Sequence, residues 1–300
     1  MRTRETKIIQ SIAHVILILI TFMIIMPFVL LFMSSITEEN TLIRNGYSFF
    51  PEVISMESYA YIFREGAKIF RAYGVTILVT AIGTLLNTAL SSTLAYGLSI
   101  KNLPFKRVVS FFVLFTMLFN GGLVPSYLMW TGTFEITNTI WALIVPNYML
   151  SAMNVFLIRT YYVTSIPDAL YEAAEIDGAS TFGVFRNIVL PLGKPILITM
   201  GLFAGLGYWN DWTNGLYYLR GISGEKLYSI QNLLNRMISQ IQFLSQNSSA
   251  ASTISGEAAK VPATGVRMAI AFVAILPILC IYPFLQKYFQ EGIAMGAVKG

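Results

Sequence analysis

Long apolar stretches constrain the fold of this chain more than any other feature of its sequence. Windows of about 20 apolar residues, the length that crosses roughly 30 Å of hydrocarbon, recur along most of the chain. The predicted spans are 12–33, 74–98, 108–130, 139–158, 195–219 and 268–285. Because backbone groups inside lipid must find hydrogen bonds within their own segment, each run favours a helix. The pattern therefore predicts an all-α polytopic membrane protein with six transmembrane helices.

The scarcity of charge supports this prediction. Only 12% of the 300 residues are charged and 55% are hydrophobic, whereas soluble domains carry about 25% charged residues. The net charge of +5 fits basic loops that face the lipid of an anionic membrane leaflet better than it fits nucleic-acid binding. The first apolar run, 8–33, is longer than the ~7–15-residue core of a signal peptide, so we expect it to be retained as a span.

Lysine and arginine orient the predicted bundle. They cluster before the first span and in the short connection after the second, at Arg2, Arg4, Lys7, Lys101, Lys106 and Arg107. The connection 131–138 contains neither residue type. Since basic short loops stay on the cytoplasmic side, both termini are predicted to be cytoplasmic. This orientation places the 165–191 segment and a tail, 287–300, inside the cell and the 220–267 loop outside it.

The residues that carry most enzymatic chemistry are scarce. The sole cysteine, Cys280, lies in an apolar run and has no partner for a disulfide, and the sole histidine, His14, rules out a multi-histidine metal site. The chain has no Gly-x4-Gly-Lys-Ser/Thr loop for nucleotide phosphates and no Ser/His/Asp set. We therefore expect no catalytic residue, metal or cofactor in this chain.

The third predicted span contains helix-breaking residues near its outer end. Asn120, Gly121 and Gly122 are followed closely by Pro125. Glycine and proline interrupt helices, and such interruptions inside a membrane occur only where protein or a cavity surrounds them. We expect this span to be broken or re-entrant.

The 165–191 segment is predicted to contain a short helix that needs a partner surface. Ser165 is suited to cap a helix over Asp168–Ile176, Pro167 suits its first turn and Gly178 its end. A second helical stretch is expected from Ser180 up to Pro191, which should end it. Two to three turns are unstable alone. The first helix carries acidic side chains beside small ones, a combination suited to docking against arginines of a partner protein.

This segment resembles the EAA motif of ATP-binding-cassette (ABC) importer permeases, in which Glu-Ala-Ala is followed at fixed spacing by Gly and Ile-x-Leu-Pro. The matching positions are Glu172, Ala173, Ala174, Asp177, Gly178, Ala179, Ile188, Leu190 and Pro191. The chain is also similar over most of its length to maltose-type (type I) sugar permeases, especially the smaller of their two membrane subunits. The similar stretches outside the motif are 120–125, 138–146 and 296–300.

The resemblance implies a non-catalytic permease subunit of an ATP-driven sugar importer, for an oligosaccharide, in the bacterial cell membrane. Asp168–Ile176 would be a coupling helix seated in an ATPase cleft, with Glu172 facing an ATPase arginine. The tail 287–300 would also reach the ATPase dimer. The implied partners are a second, homologous permease, two ATP-binding subunits that bind the ATP, and an extracellular solute-binding lipoprotein.

The end of the fifth predicted span has two interpretations. Trp209, Asn210 and Asp211 are candidates for contact with the transported sugar, because aromatic rings stack on sugar faces, amides and carboxylates bond hydroxyls, and ionisable groups at membrane depth are often functional. Alternatively, the aromatic residues here form an interfacial belt, an interpretation that we favour for Trp212, Tyr217 and Tyr218.

Two other functions compete with a sugar permease. An ABC importer permease for another solute would share the coupling motif. A secondary transporter or channel would more often carry internal repeats and charged residues in mid-membrane, whereas Asp211 is the principal charge in these spans.

Overall fold

The computed structural model describes residues 4–64, 66–246, 264–277, 279, 280 and 283. Helices account for nearly all of the regular structure in these residues, and one isolated antiparallel bridge joins Thr37 to Ile54. The predicted tail 287–300 and most of the polar part of the 220–267 loop lie outside the described residues. The all-helical class predicted from the apolar runs is thus confirmed for the described part of the chain.

The helices follow one another with short connections. The first eight are α1 (Arg4–Ser35), α2 (Glu39–Asn45), α3 (Glu57–Arg64), α4 (Gly66–Ser99), α5 (Lys106–Leu118), α6 (Leu123–Leu128), α7 (Trp141–Ile144) and α8 (Ala152–Ser165). The others are α9 (Asp168–Ile176), α10 (Thr181–Val184), α11 (Leu190–Leu192), α12 (Lys194–Asn210), α13 (Thr213–Tyr218), α14 (Gly221–Glu225), α15 (Ile230–Gln246) and α16 (Thr264–Pro277). Wider π-type turns follow α6 at Met129–Thr133 and α10 at Phe185–Val189.

Two helices are long and apolar enough to cross a membrane alone. They are Ile8–Ser35, within α1, and α4. Two further pairs reach that length only if a sharp bend is allowed, 113° between Lys106–Leu118 and Leu123–Thr133, and 79° between Thr181–Leu192 and Lys194–Asn210. The described residues thus contain two such helices, or up to four spans with the bent pairs. The count of six spans stays a prediction.

The described residues divide into two units, with boundaries within α4, within α15 and after residue 280. The first unit contains the described residues up to 69 and from 234 to 280, and the second contains those from 70 to 233 together with 283. In the first unit, the Glu39 carboxylate accepts hydrogen bonds from the backbone N–H groups of Thr264 and Gly265, each at 2.8 Å. A carboxylate at this position accepts hydrogen bonds from backbone N–H groups that have no partner within the helix. Its negative charge is also attracted to the positive end of the helix dipole. Glu39 therefore caps α16 from a helix far away in the sequence.

Close packing of α4 against α12 organises the second unit. Thr84 and Thr88 lie one turn apart on α4, opposite Gly201 and Gly205 of α12. A Cβ added at either glycine would lie only 3.2 Å from a threonine Oγ1. Glycine lets two membrane helices approach closely, so these residues set the distance between the α4 and α12 axes.

The fourth predicted span, 139–158, is divided in the structure. Helix α7 ends at Ile144, α8 begins at Ala152, and Asn147 between them has a positive φ of 68°. Side chains from other helices bond the carbonyls that the break leaves without helical partners. These bonds run from Tyr208 to the Ile144 carbonyl at 2.9 Å, from Asn214 to that of Pro146 at 3.1 Å, and from Asn87 to that of Tyr148 at 2.7 Å. Since buried carbonyls need partners, these amides and the phenol stabilise the break.

Three other predicted spans differ from the helices of the structure in their boundaries. The break predicted for the third span is confirmed, because α5 ends at Leu118, α6 begins at Leu123, and Gly122 between them has a φ of 89°. The fifth predicted span, 195–219, does not continue as one helix. Helix α12 ends at Asn210, and Asp211 has an extended backbone before α13 begins. The predicted sixth span, 268–285, overlaps α16 and then passes largely outside the described residues.

Candidate functional site

Helix α9 has the boundaries that the sequence predicts for the first helix of the 165–191 segment. It begins at Asp168 and ends at Ile176. Gly178 follows with a φ of 70°, the Ala179 N–H donates to the Ala174 carbonyl, and the Gly178 N–H donates to that of Glu175. This pair of bonds around a left-handed glycine is the Schellman end of a helix, so the expected role of Gly178 as a stop is confirmed.

Two details of the 165–191 segment differ from the prediction. Pro167, with an extended backbone, occupies the cap position of α9, whereas Ser165 is the last residue of α8. Pro191 does not end the second helical stretch but lies in the first turn of α11, where a proline needs no N–H partner. The expected start is confirmed, since the Ser180 Oγ accepts a hydrogen bond from the Gly183 N–H at 3.1 Å.

The motif residues separate into an exposed set and a packed set. The exposed set consists of Glu172, Ala173, Glu175, Asp177, Gly178, Ala179 and Pro191. Ala174 on the opposite face of α9 is only 6% exposed, and Ile188 and Leu190 are partly buried against the same side chains. Helix α9 therefore presents an acidic face to its surroundings and packs a small residue against the rest of the second unit.

The packed set belongs to one apolar cluster, here called the loop-base cluster. Its buried members come from α4, α8 and α12 and from the 165–191 segment, and partly buried side chains such as Tyr171 pack around them. They are Ala95, Tyr96, Leu98, Val155, Ile158, Tyr162, Ile166, Ala174, Val184, Phe185, Val189 and Met200. The side of α9 that faces this cluster is therefore held by helices from distant parts of the sequence.

Sequence reasoning missed two contacts of the 165–191 segment. The Tyr96 hydroxyl donates to the Thr181 carbonyl at 3.2 Å, and the Tyr96 ring stacks on Phe185 with centroids 5.0 Å apart. Lys101 Nζ lies 2.8 Å from the Asp168 carboxylate, although their side chains remain 76% and 64% exposed. Tyr96 lies within an apolar run and Lys101 in a basic turn, so no local sequence pattern indicated these partners for either residue.

Contacts of the 165–191 segment raise the pKa of two side chains, Lys101 and Tyr171. The hydrogen bond from Lys101 to Asp168, and then the attraction between their charges, raise the pKa of the lysine above its ordinary value. Burial against the loop-base cluster raises the pKa of Tyr171 to about 12. Both groups therefore keep their protonated forms at neutral pH, Lys101 as a cation and Tyr171 as a neutral phenol.

The candidate sugar contacts near the end of α12 are mostly buried. Asp211 is 8% exposed, and its Oδ1 accepts bonds from the Thr213 N–H and hydroxyl and from the Asn214 N–H at 2.7–3.3 Å, so it caps α13. Trp209 is 7% exposed. Asn210 is exposed, and its amide donates to the Leu206 carbonyl of its own helix. Of the three candidates, Asn210 has the most accessible side chain.

The neighbouring aromatic residues do not form a uniform belt. Trp212 is 41% exposed, as the belt interpretation expects. Tyr218 is only 3% exposed and stacks on Tyr127 at 6.1 Å, which gives it a packing role. Among the described residues, no group of three or more His, Cys, Asp or Glu side chains is placed to hold a metal ion.

Comparison with known families identifies the chain. The sequence profile of the family described as "Binding-protein-dependent transport system inner membrane component" matches residues 94–295. The chain belongs to this family. The matched region begins within α4 and includes the whole 165–191 segment, so the resemblance read from the motif is confirmed. The chain is therefore an integral membrane permease component, and the secondary-transporter alternative is set aside.

Individual relatives of this permease match it from end to end. The polygalacturonan/rhamnogalacturonan transport system permease protein YtcP of Bacillus subtilis (strain 168) is 32% identical over 99% of this chain and 100% of its own length. Protein LplC of the same strain is 34% identical over 92% of this chain and 90% of its own. A solved bacterial ABC transporter involved in the import of the acidic polysaccharide alginate matches with a TM-score of 0.78 and 26% identity, over 96% of this chain and 99% of that one.

Proposed function

We propose that this permease is one membrane subunit of an ATP-driven bacterial oligosaccharide importer and that α9 couples it to a separate ATPase. The observation that carries this proposal is the two-faced helix α9. Its acidic side chains are exposed, while Ala174 on the other face packs into the loop-base cluster. A helix anchored on one face and charged on the other is suited to receive a displacement from a partner protein and to pass it to the bundle.

The chain itself supplies positioning and no covalent chemistry. ATP binding closes a dimer of partner ATPase subunits and draws their clefts together, and α9, seated in one cleft with Glu172 facing an arginine, moves with it. The two permease subunits then rock from an inward-facing to an outward-facing state, and a solute-binding lipoprotein releases sugar into the cavity. Hydrolysis returns the pair to the inward-facing state.

Oligosaccharides are the proposed substrate class because of the named relatives. YtcP is named for polygalacturonan and rhamnogalacturonan, and the solved relative is described for alginate. An arabinooligosaccharide permease protein, AraQ of Bacillus subtilis (strain 168), is 26% identical over 94% of this chain. Since the first two names refer to acidic polysaccharides, labelled galacturonate oligosaccharides are the first substrates to test, followed by neutral arabino-oligosaccharides.

The proposed partners are a second homologous permease, two ATP-binding subunits and an extracellular solute-binding lipoprotein. Both termini and α9 are placed in the cytoplasm by this proposal. The exposed apolar residues Ile176 and Phe182, 86% and 69% exposed, lie at the end of α9 and in α10 beside its acidic face. They would add apolar area to the ATPase contact.

Reversing the charge of Glu172 tests the proposal. Glu172→Lys should place a cation against the ATPase arginine, so the ATPase should no longer copurify and uptake should be lost, while membrane insertion is unchanged. The readouts are pull-down of the ATPase and uptake of labelled oligosaccharide by cells. Glu135→Lys, the same reversal at an exposed position in the 131–138 connection, is the matched control. Normal uptake by Glu172→Lys would exclude α9 as the docking element.

A further inference from the structure

Tyr96 is the principal polar contact between α4 and the second half of the 165–191 segment. Its hydroxyl donates to the carbonyl of Thr181, the first residue of α10, and its ring stacks on Phe185, which begins the π-type turn. Tyr96 and Phe185 are 7% and 8% exposed. One side chain of α4 therefore bonds the backbone at the start of this stretch and packs on the ring that follows it.

A second connection joins the 165–191 segment to Lys101, just after the C-terminal end of α4, and it is weaker than that of Tyr96. The ion pair of Lys101 with Asp168 spans 2.8 Å, but both side chains are largely exposed. Exposed ion pairs contribute little, because water and salt screen them and long side chains lose entropy in forming them. The Tyr96 contact combines a half-buried hydrogen bond with two stacked, buried rings, so packing holds its geometry better than that of an exposed ion pair.

The covalent connections at the two ends of the segment do not by themselves join it to α4. At one end, the chain passes from α8 into α9 through Ile166 and Pro167, and at the other it bends by 79° from Thr181–Leu192 into α12. A displacement of α9 would therefore reach α8 and α12 through the backbone. It would reach α4 through noncovalent contacts, either directly from the segment or through the bonds that α8 makes with α4.

We propose that Tyr96 is a positioning residue that makes α4 move together with the 165–191 segment. The inference rests on the proposed function, because it assumes that a partner ATPase displaces α9. Through Tyr96, that displacement reaches α4 directly, and the close contacts at Gly201 and Gly205 keep α4 against α12, which receives it through the backbone. Tyr96 thereby joins the first helix of the second unit to the part of the chain that receives the force.

A distance measurement within the chain tests this proposal without knowledge of the substrate. Spin labels at positions 187 in the 165–191 segment and 93 on α4, both exposed and outside the acidic face of α9, are introduced in a Cys280→Ser background and measured by pulsed electron resonance in the complete importer. The wild-type pair should give a narrow distance distribution that ATP leaves unchanged, because the labelled elements move together. Tyr96→Phe and Phe185→Leu should each broaden it or shift it on ATP addition.

Tyr162→Phe is the matched control for these variants. It deletes a hydroxyl in the same loop-base cluster, but that hydroxyl bonds Ser92 between α8 and α4, at 2.8 Å, and not the 165–191 segment. The control should lower thermal stability as much as Tyr96→Phe and leave the label distances as in wild type. Equal distance distributions for Tyr96→Phe and Tyr162→Phe would overturn the proposal.

Transport measurements separate this inference from the proposed function. In proteoliposomes, Tyr96→Phe should retain the ATPase and hydrolyse ATP at the wild-type rate, while galacturonate oligosaccharide carried per ATP falls about fivefold, as expected for loss of one hydrogen bond. Wild-type transport per ATP in this variant would also overturn the role of Tyr96. If the wild-type chain neither retains an ATPase nor transports, the proposed function itself is wrong.

Discussion

At the residue scale, the carboxylates of Asp211 and Glu39 each cap a helix, and a single substitution can measure what each cap contributes to stability. Asp211 bonds the first N–H groups of α13 within its own stretch of sequence. Glu39 bonds the first N–H groups of α16 from more than 220 residues away, at sequence separations of 225 and 226. Both lie where the partial positive charge of a helix end favours an anion.

Asp211→Ala should lower the free energy of unfolding by about 1–2 kcal/mol, because the α13 donors lose their acceptor. Asp211→Asn keeps an acceptor oxygen and should cost less. Substrate affinity per folded molecule should be unchanged in both, since the carboxylate is buried and already bonded. Thermal unfolding in detergent and uptake at varied oligosaccharide concentration measure the two effects. Weakened substrate affinity at normal stability would instead support Asp211 as a sugar contact.

Glu39→Ala should destabilise the first unit by about 1–2 kcal/mol through loss of the α16 cap. Its neighbour provides the control, because the Glu38 carboxylate bonds the nearby side chains of Asn40 and Thr41. Glu38→Ala should therefore have a smaller effect. Denaturant unfolding followed by helical circular dichroism compares the two variants, and equal losses would show that the long-range cap adds nothing.

At the scale of whole elements, the break between α7 and α8 depends on side chains from other helices. Asn87 donates to the Tyr148 carbonyl at 2.7 Å and accepts from the Asn154 amide at 3.0 Å. Asn147 donates to Asn214, whose own amide bonds the Pro146 carbonyl. Two pairs of amides, Asn87 with Asn154 and Asn147 with Asn214, therefore supply hydrogen bonds at the break in place of helical ones.

Asn87→Leu should destabilise the second unit by about 1–3 kcal/mol, because the half-buried Tyr148 carbonyl and the Asn154 amide both lose their bonds to the buried Asn87. Asn210→Leu is the control, since Asn210 is exposed and bonds only its own helix. The two variants are compared by thermal unfolding in the same detergent. If Asn87→Leu were as stable as the control, the amide network would have no part in holding the break.

At the scale of the whole molecule, the orientation of the chain decides whether α9 reaches an ATPase. In a Cys280→Ser background, Glu175→Cys should resist a membrane-impermeant maleimide in intact cells and react in inverted vesicles. Ile222→Cys, at a position 80% exposed in the 220–267 loop, should show the opposite pattern. Labelling of position 175 in intact cells would place α9 outside the cell and exclude its coupling role.

The sequence alone determined the features that depend on neighbours along the chain. Apolar windows predicted the helical class, Asn120 to Pro125 predicted the bend after α5, and Gly178 predicted the end of α9. The EAA spacing predicted the family that the profile match established. Each of these signals lies within one span or a few turns, where periodicity, backbone preference and capping act directly.

Only the tertiary structure decided which residues, far apart in the sequence, bond to these elements and stabilise them. The partners of Tyr96, Asn87 and Lys101 lie 85, 61 and 67 residues away along the chain. Because hydrogen bonds and packing depend on distance in space, no local pattern marks Asn87 as the support of a broken span or Tyr96 as a contact of α10. Asp211 differs from them, since Thr213 and Asn214 follow it directly, and its capping pattern was present in the sequence. The fold adds that this carboxylate is buried, and its contact with sugar stays a prediction.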